Sequence, residues 1–160
     1  MLYTLDNSII FGDGSNGLGI GINIIGVFAS INPVFKFSVS RIKKDYVNEQ
    51  SINSRFIIFT YSIGGGFSLK ITPKLNPFVT FNYLNCKFVE GGEAFIVSGS
   101  FFENNNLSIP GWSAQIGTNY IIRKLSIGFS FSKIHPSERL SINGKSQYYN
   151  SISLLFGLKF

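Results

Sequence analysis

The sequence predicts an all-β protein, an eight-stranded antiparallel transmembrane β-barrel with up-and-down meander connectivity. Three observations predict it: apolar residues alternate with small or polar ones at period two, the alternating segments are even in number, and their connections alternate between short and long. Charged residues make up only 14% of the 160 residues, while hydrophobic residues reach 44% and Phe alone occurs 17 times. An ordinary soluble domain carries roughly 25% charged residues. No stretch approaches the roughly 18 uninterrupted apolar residues of a transmembrane helix, so a membrane crossing falls to strands. The whole chain, residues 1–160, is expected to form one barrel domain.

The segments follow in order. Residues 2–11 and 17–28 are separated by GDGSNG, and the short SINP leads into 34–45. A longer connection around DYVNEQSINS precedes 56–71, where RFIIFTYSIGGGFSLKI sets Ile57, Phe59, Tyr61, Ile63, Phe67, Leu69 and Ile71 against Thr60, Ser62, Gly64, Gly66, Ser68 and Lys70. TPKLN is the short link to 78–89, and the long run from Gly91 to Pro110 leads to 111–122. The dipeptide RK joins this to 125–135, whose Leu125, Ile127, Phe129 and Phe131 oppose Ser126, Gly128, Ser130 and Ser132. SERLSINGKSQ then leads to 148–160, with Ile152, Leu154, Phe156, Leu158 and Phe160 on one face and Ser151, Ser153, Leu155, Gly157 and Lys159 on the other. Short turns at one end and long loops at the other are the pattern of a bacterial outer-membrane barrel, with tight periplasmic turns and extended extracellular loops.

In lipid the apolar faces point outward, and closure of the ring satisfies every backbone hydrogen bond. The small and polar faces then line a lumen that eight strands make only wide enough for side chains. Asp6, Lys36, Lys70, Gln115 and Asn119 are expected to pair or hydrogen-bond inside it. Trp112 and Tyr120, eight residues apart on the outward face of the sixth segment, suit the two interfacial aromatic belts. Lys133 stands on the lipid-facing series and is expected to snorkel to the interface. A soluble lipocalin-like barrel would require both faces to be inverted. The lone Cys86 forms no internal disulfide and fits no metal-ligand spacing. Met1 opens directly on a strand-like segment, so an exported chain is expected here in mature form.

The terminal SISLLFGLKF, with a final aromatic after alternating apolar residues, resembles the C-terminal signal of bacterial outer-membrane barrels. That resemblance implies a Gram-negative outer membrane and the barrel assembly machinery as a partner.

The only histidine, His135, is followed two residues later by Ser137. His135 lies ten residues above Leu125 and Asn150 ten residues before Phe160. At about 3.3 Å per residue and a tilt near 40°, ten residues climb roughly 25 Å, the height of the apolar band. Both positions are expected level with each other at the outer interface, and the parity of His135, Ser137 and Asn150 directs all three toward lipid.

At these residues the chain resembles the lipid A 3-O-deacylases, or acyloxyacyl-hydrolase-like outer-membrane enzymes, eight-stranded barrels with a His-x-Ser-Asn motif ending the seventh strand and a Glu on the eighth. IHPS matches the His-x-Ser portion, so the resemblance implies His135 as general base and Ser137 as nucleophile, with Asn150 at the third position. It implies hydrolysis of an ester-linked acyl chain of lipid A, with no metal or cofactor. Two positions depart from the family. Glu138 stands where the family has its oxyanion-hole Asn, and an anion there opposes the developing charge. Asn150 replaces the carboxylate, and an amide cannot stabilise an imidazolium as a carboxylate does; Glu138 is the alternative third member.

Arg41, Lys43, Lys44, Arg139 and Lys145, with Arg55 and Lys87, lie toward the long-loop end and are candidates for contacting lipopolysaccharide phosphates. Two functional classes follow: a lipid A esterase, or a non-catalytic barrel acting as a structural protein or as an accessory subunit of a larger outer-membrane complex. No nucleic-acid partner is expected.

Overall fold

The computed structural model describes residues 1–12, 15–47, 53–90, 95–97, 100–102, 108–136, 141–142, 145–146 and 148–160. Among the described residues twelve strands run in chain order: β1 Leu2–Gly12, β2 Ser15–Ile25, β3 Ile31–Val47, β4 Asn53–Leu69, β5 Leu75–Glu90, β6 Phe95–Val97, β7 Ser100–Phe102, β8 Ser108–Ile122, β9 Leu125–Pro136, β10 Ser141–Ile142, β11 Lys145–Ser146 and β12 Tyr149–Lys159. Eight of them close an antiparallel barrel in the order β1-β12-β9-β8-β5-β4-β3-β2. The short pairs β6–β7 and β10–β11 are hairpins within the long connections. Closure is made by β1 against β12, from Leu2 opposite Lys159 to Phe11 opposite Asn150, and the ring has no unpaired edge.

Burial follows the alternation in the sequence. Along β9 the residues from Leu125 to Ile134 alternate between exposed and buried without a break, with Phe129 62% exposed and Ser130 1%. Leu18, Ile116, Phe81 and Leu154 are among the apolar side chains that project outward on other strands. A girdle of exposed apolar side chains around the entire barrel far exceeds the patches of a few hundred Å² that soluble monomers tolerate. Hydrocarbon is the solvent in which this surface is stable.

The lumen is filled in three layers. Its middle is polar. Lys36 Nζ donates to Asp6 Oδ2 at 2.6 Å and to Gln115 Oε1 at 2.7 Å, and Gln115 Nε2 donates to Ser130 Oγ at 2.6 Å and to Asp6 Oδ2 at 3.1 Å. Hydroxyl pairs such as Ser132–Ser151 and Ser40–Thr60 continue this layer. Above it, toward the long loops, Ile10, Ile42, Ile58, Leu84, Cys86, Ile134 and Tyr149 form an apolar plug. Below it Leu2, Ile25, Val34, Phe78, Ile121 and Leu155 form a second. The expected pairing of Asp6, Lys36 and Gln115 is observed. Asn119 is fully buried, yet its amide has no hydrogen-bond partner among the described residues. Lys70 is not interior: β4 ends at Leu69, the chain turns away from the barrel, and Lys70 is exposed at the short-turn rim.

Gly64 and Gly66 face inward on β4, where it crosses β5 closely. A Cβ on Gly66 would lie on the carbonyl oxygen of Val79, and one on Gly64 on that of Phe81. Only a residue without a side chain permits this approach.

Candidate functional site at the long-loop rim

The upper end of the lipid-facing surface carries aromatic and basic residues in cross-strand rows. Tyr83 of β5 stands opposite Trp112 of β8, and Trp112 opposite His135 of β9. The Trp112 and His135 rings are stacked, with centroids 5.3 Å apart and planes 15° apart. On the other side of His135 the ring of Tyr148 lies 4.3 Å away, tilted by 60°. The imidazole is thus packed between two aromatic rings and is only 7% exposed, although its parity is outward. Its Nδ1 is buried with no hydrogen-bond partner among the described residues.

Asn150 does face outward and is half-buried, but the register places it across from Lys133. β12 runs past the short turn, so that Leu158 rather than Phe160 pairs with Leu125. Asn150 therefore sits two residues lower than the expected level, and Tyr148 packs against His135. Lys133 reaches up from the lipid-facing series to place Nζ 4.9 Å from the centroid of the Tyr148 ring, a cation–π contact at the boundary where a charged head meets an apolar surface. Ser137, Glu138 and Arg139 lie outside the described residues.

A second row lies further round the rim. Arg41 of β3 and Lys87 of β5 flank Phe59 of β4 as its two cross-strand neighbours, and Lys43 lies two residues above Arg41. Arg41, Lys43 and Lys87 are exposed on the outward face. The backbone of Lys44 pairs with that of Ser15, and Lys145 lies in β11; the side chains of both, and that of Arg55, fall outside the described set. Arg41, Lys43 and Lys87 make a cationic strip on the outward face toward the long-loop end. The chemistry on display is ionic and aromatic, the kind that can meet anionic groups and an apolar–polar boundary. Sequence reasoning did not single out Tyr148, although it opens the expected segment 148–160 with the outward parity of Asn150 and Ile152.

No protein-family model matches the sequence, and no curated protein does. Among solved structures the chain is similar to Neisserial surface protein A, NspA, with a TM-score of 0.62 and 10% identity over 99% of this chain and 95% of that one. It is similar also to Ail, the attachment invasion locus protein of Yersinia pestis, with a TM-score of 0.59 and 11% identity over 99% of this chain and 96% of that one, in a complex with the heparin analogue sucrose octasulfate. The shared fold is the closed eight-stranded barrel of bacterial outer-membrane proteins. The outer membrane enzyme PagL aligns with a TM-score of 0.46 at 9% identity over 98% of this chain and 99% of that one, too loosely to bear on the site.

Proposed function

We propose that the protein is an integral outer-membrane barrel, long loops outward, that binds lipopolysaccharide at its upper rim without hydrolysing it. The observation that carries this reading is the setting of His135. A general base must be oriented by a polar partner and reach its nucleophile. Among the described residues His135 packs against Trp112 and Tyr148, its Nδ1 makes no hydrogen bond, and Asn150, the expected third member, stands opposite Lys133. That is how an interfacial aromatic belt is built. Arg41, Lys43 and Lys87 supply the charge that lipid A phosphates require, and Arg139, Lys44 and Lys145 add to it if they turn toward the headgroups. Polyanion binding has a parallel at the fold level in Ail, crystallised with sucrose octasulfate.

A second reading, a lipid A 3-O-deacylase with His135 as base, Ser137 as nucleophile and Asn150 or Glu138 as third member, is supported by one observation: His135 continues the outward series of β9 at its long-loop end, opposite Trp112. Mass spectrometry of lipid A from Gram-negative cells expressing the protein or its Ser137→Ala variant separates the two. The binding reading expects identical acylation, with lipopolysaccharide retained by the purified barrel and lost from Arg41→Gln/Lys43→Gln/Lys87→Gln. An acyl chain removed by the native protein and kept with Ser137→Ala would establish the esterase instead.

A further inference from the structure

The opposite rim carries a charge asymmetry that lipopolysaccharide binding does not use. Lys70, Lys74, Arg123 and Lys124 are exposed at the short-turn end, and Lys159 is half-buried beside them. They form one arc. Backbone bonds join the turns laterally, Ile121 N to Lys74 O at 2.7 Å and Lys159 N to Lys124 O at 2.8 Å, so the arc runs across β4, β5, β8, β9 and β12.

Among the described residues no acidic side chain shares this end. Asp6 is sealed in the lumen against Lys36, and Asp13, Asp45, Glu49, Glu90, Glu93, Glu103 and Glu138 lie in or beside the long connections in sequence. Beyond the arc the rim also exposes large apolar side chains, with Phe28 76% exposed and Ile31 63% exposed. The arc also holds a conformational cost: Arg123 adopts φ 57°, a left-handed position at which Gly or Asn is the favoured choice. A cation stands where an uncharged residue fits the turn better.

We propose that this arc binds the anionic phospholipid headgroups of the periplasmic leaflet. The cations stand directly below lipid-exposed Leu69, Ile122, Leu125 and Leu158, which puts them at headgroup level rather than out in solution. An acidic protein or a wall polymer would have to approach past the same headgroups. Phe28 and Phe160, both exposed at this rim, enter the interface alongside. A Lys or Arg at an anionic lipid surface favours it by roughly fivefold per cation.

The inference rests on the membrane-barrel reading, and the experiment keeps the two apart. The full chain is folded into nanodiscs of mixed phosphatidylcholine and phosphatidylglycerol, and the lipids it retains are counted by native mass spectrometry. Failure of the native chain to enter the bilayer, seen as absence of a heat-modifiable band on gels, overturns the membrane reading and the inference with it. With insertion intact, the native barrel is expected to retain phosphatidylglycerol over phosphatidylcholine. Lys70→Gln/Lys74→Gln/Arg123→Gln/Lys124→Gln should cut that preference by at least roughly tenfold. Lys70→Arg/Lys74→Arg/Lys124→Arg should keep it, and in the Arg41→Gln/Lys43→Gln/Lys87→Gln background, where the cations facing the other leaflet are already gone, the four short-turn Gln substitutions should still produce the fall. Equal preference in the native barrel and the short-turn Gln variant, or loss of it only in the upper-rim variant, overturns the assignment while leaving the barrel reading intact.

Discussion

The indole of Trp112 lies nearly parallel to the imidazole of His135, 15° between planes and 5.3 Å between centroids, across the β8–β9 pair on the lipid-facing side. Because this is the sole tryptophan of the chain, its fluorescence reports the depth of the upper rim without labelling. Brominated lipids should quench it most when the bromines lie near the headgroup. In Trp112→Tyr/Ile116→Trp the reporter moves four residues along the same face, roughly 10 Å down at the usual rise and tilt. Quenching should then peak with bromines deeper in the chains. A Trp112 insensitive to every lipid label would place this rim in water and remove the belt.

The lumen makes a prediction of opposite character. Lys36 and Asp6 are an ion pair buried at 8% and 3% side-chain exposure between two apolar plugs. Removing one partner strands a charge, and breaking a buried pair typically costs about 3–5 kcal/mol. Lys36→Met should therefore lower the urea unfolding free energy of the folded barrel by about that amount. Asp6→Leu/Lys36→Met removes both charges and should cost less than Lys36→Met alone, since Gln115 keeps Ser130 and Thr80 as partners. A double variant as unstable as the single would mean that Gln115, rather than the ion pair, organises the layer.

The same lumen marks where the sequence was legible and where it was not. Parity, strand number and the direction of each face could be read because they depend only on period two, which the pleat enforces at every residue. Hence Phe129 and Ser130 fall as expected. The two plugs were not readable in this way, since Ile42, Ile58, Leu84 and Ile134 interrupt inward faces that are largely small or polar. Only the height at which they meet shows that they seal the barrel. Register was equally hidden. Counting back from Phe160 placed Asn150 beside His135, whereas β12 overruns the turn by two residues and Tyr148 packs there instead. Strand ends also ran further than the apolar pattern, as at Ile31–Val47 for the expected 34–45, because hairpins keep their hydrogen bonds beyond the lipid band.

Gly66 offers a test of close approach between strands. An added Cβ would fall on backbone rather than on a movable side chain, so Gly66→Ala should push β4 from β5 and cost about 1–3 kcal/mol, the usual range for overpacking. Gly65 points the other way, and its Cβ would meet Val34 O at 3.0 Å. Gly65→Ala should be milder in the same urea titration. Equal losses at both positions would indicate that glycine flexibility, not steric approach, is what β4 requires.

Arg123 separates stability from lipid binding. Its φ of 57° is left-handed, and a side chain held there costs about 1–2 kcal/mol relative to the right-handed region. Arg123→Gly relieves that strain, while the added freedom of the unfolded chain returns part of the gain, so the barrel should become more stable by about 0.5–1 kcal/mol. The same variant removes one cation from the arc with Lys124 and Lys74, and its retention of phosphatidylglycerol in mixed nanodiscs should fall by up to roughly fivefold. A stabilised barrel that holds anionic lipid less well is the signature of a strained cation kept for its charge. If Arg123→Gly left both properties unchanged, the left-handed turn would be an ordinary hairpin end with no bearing on the leaflet beneath it.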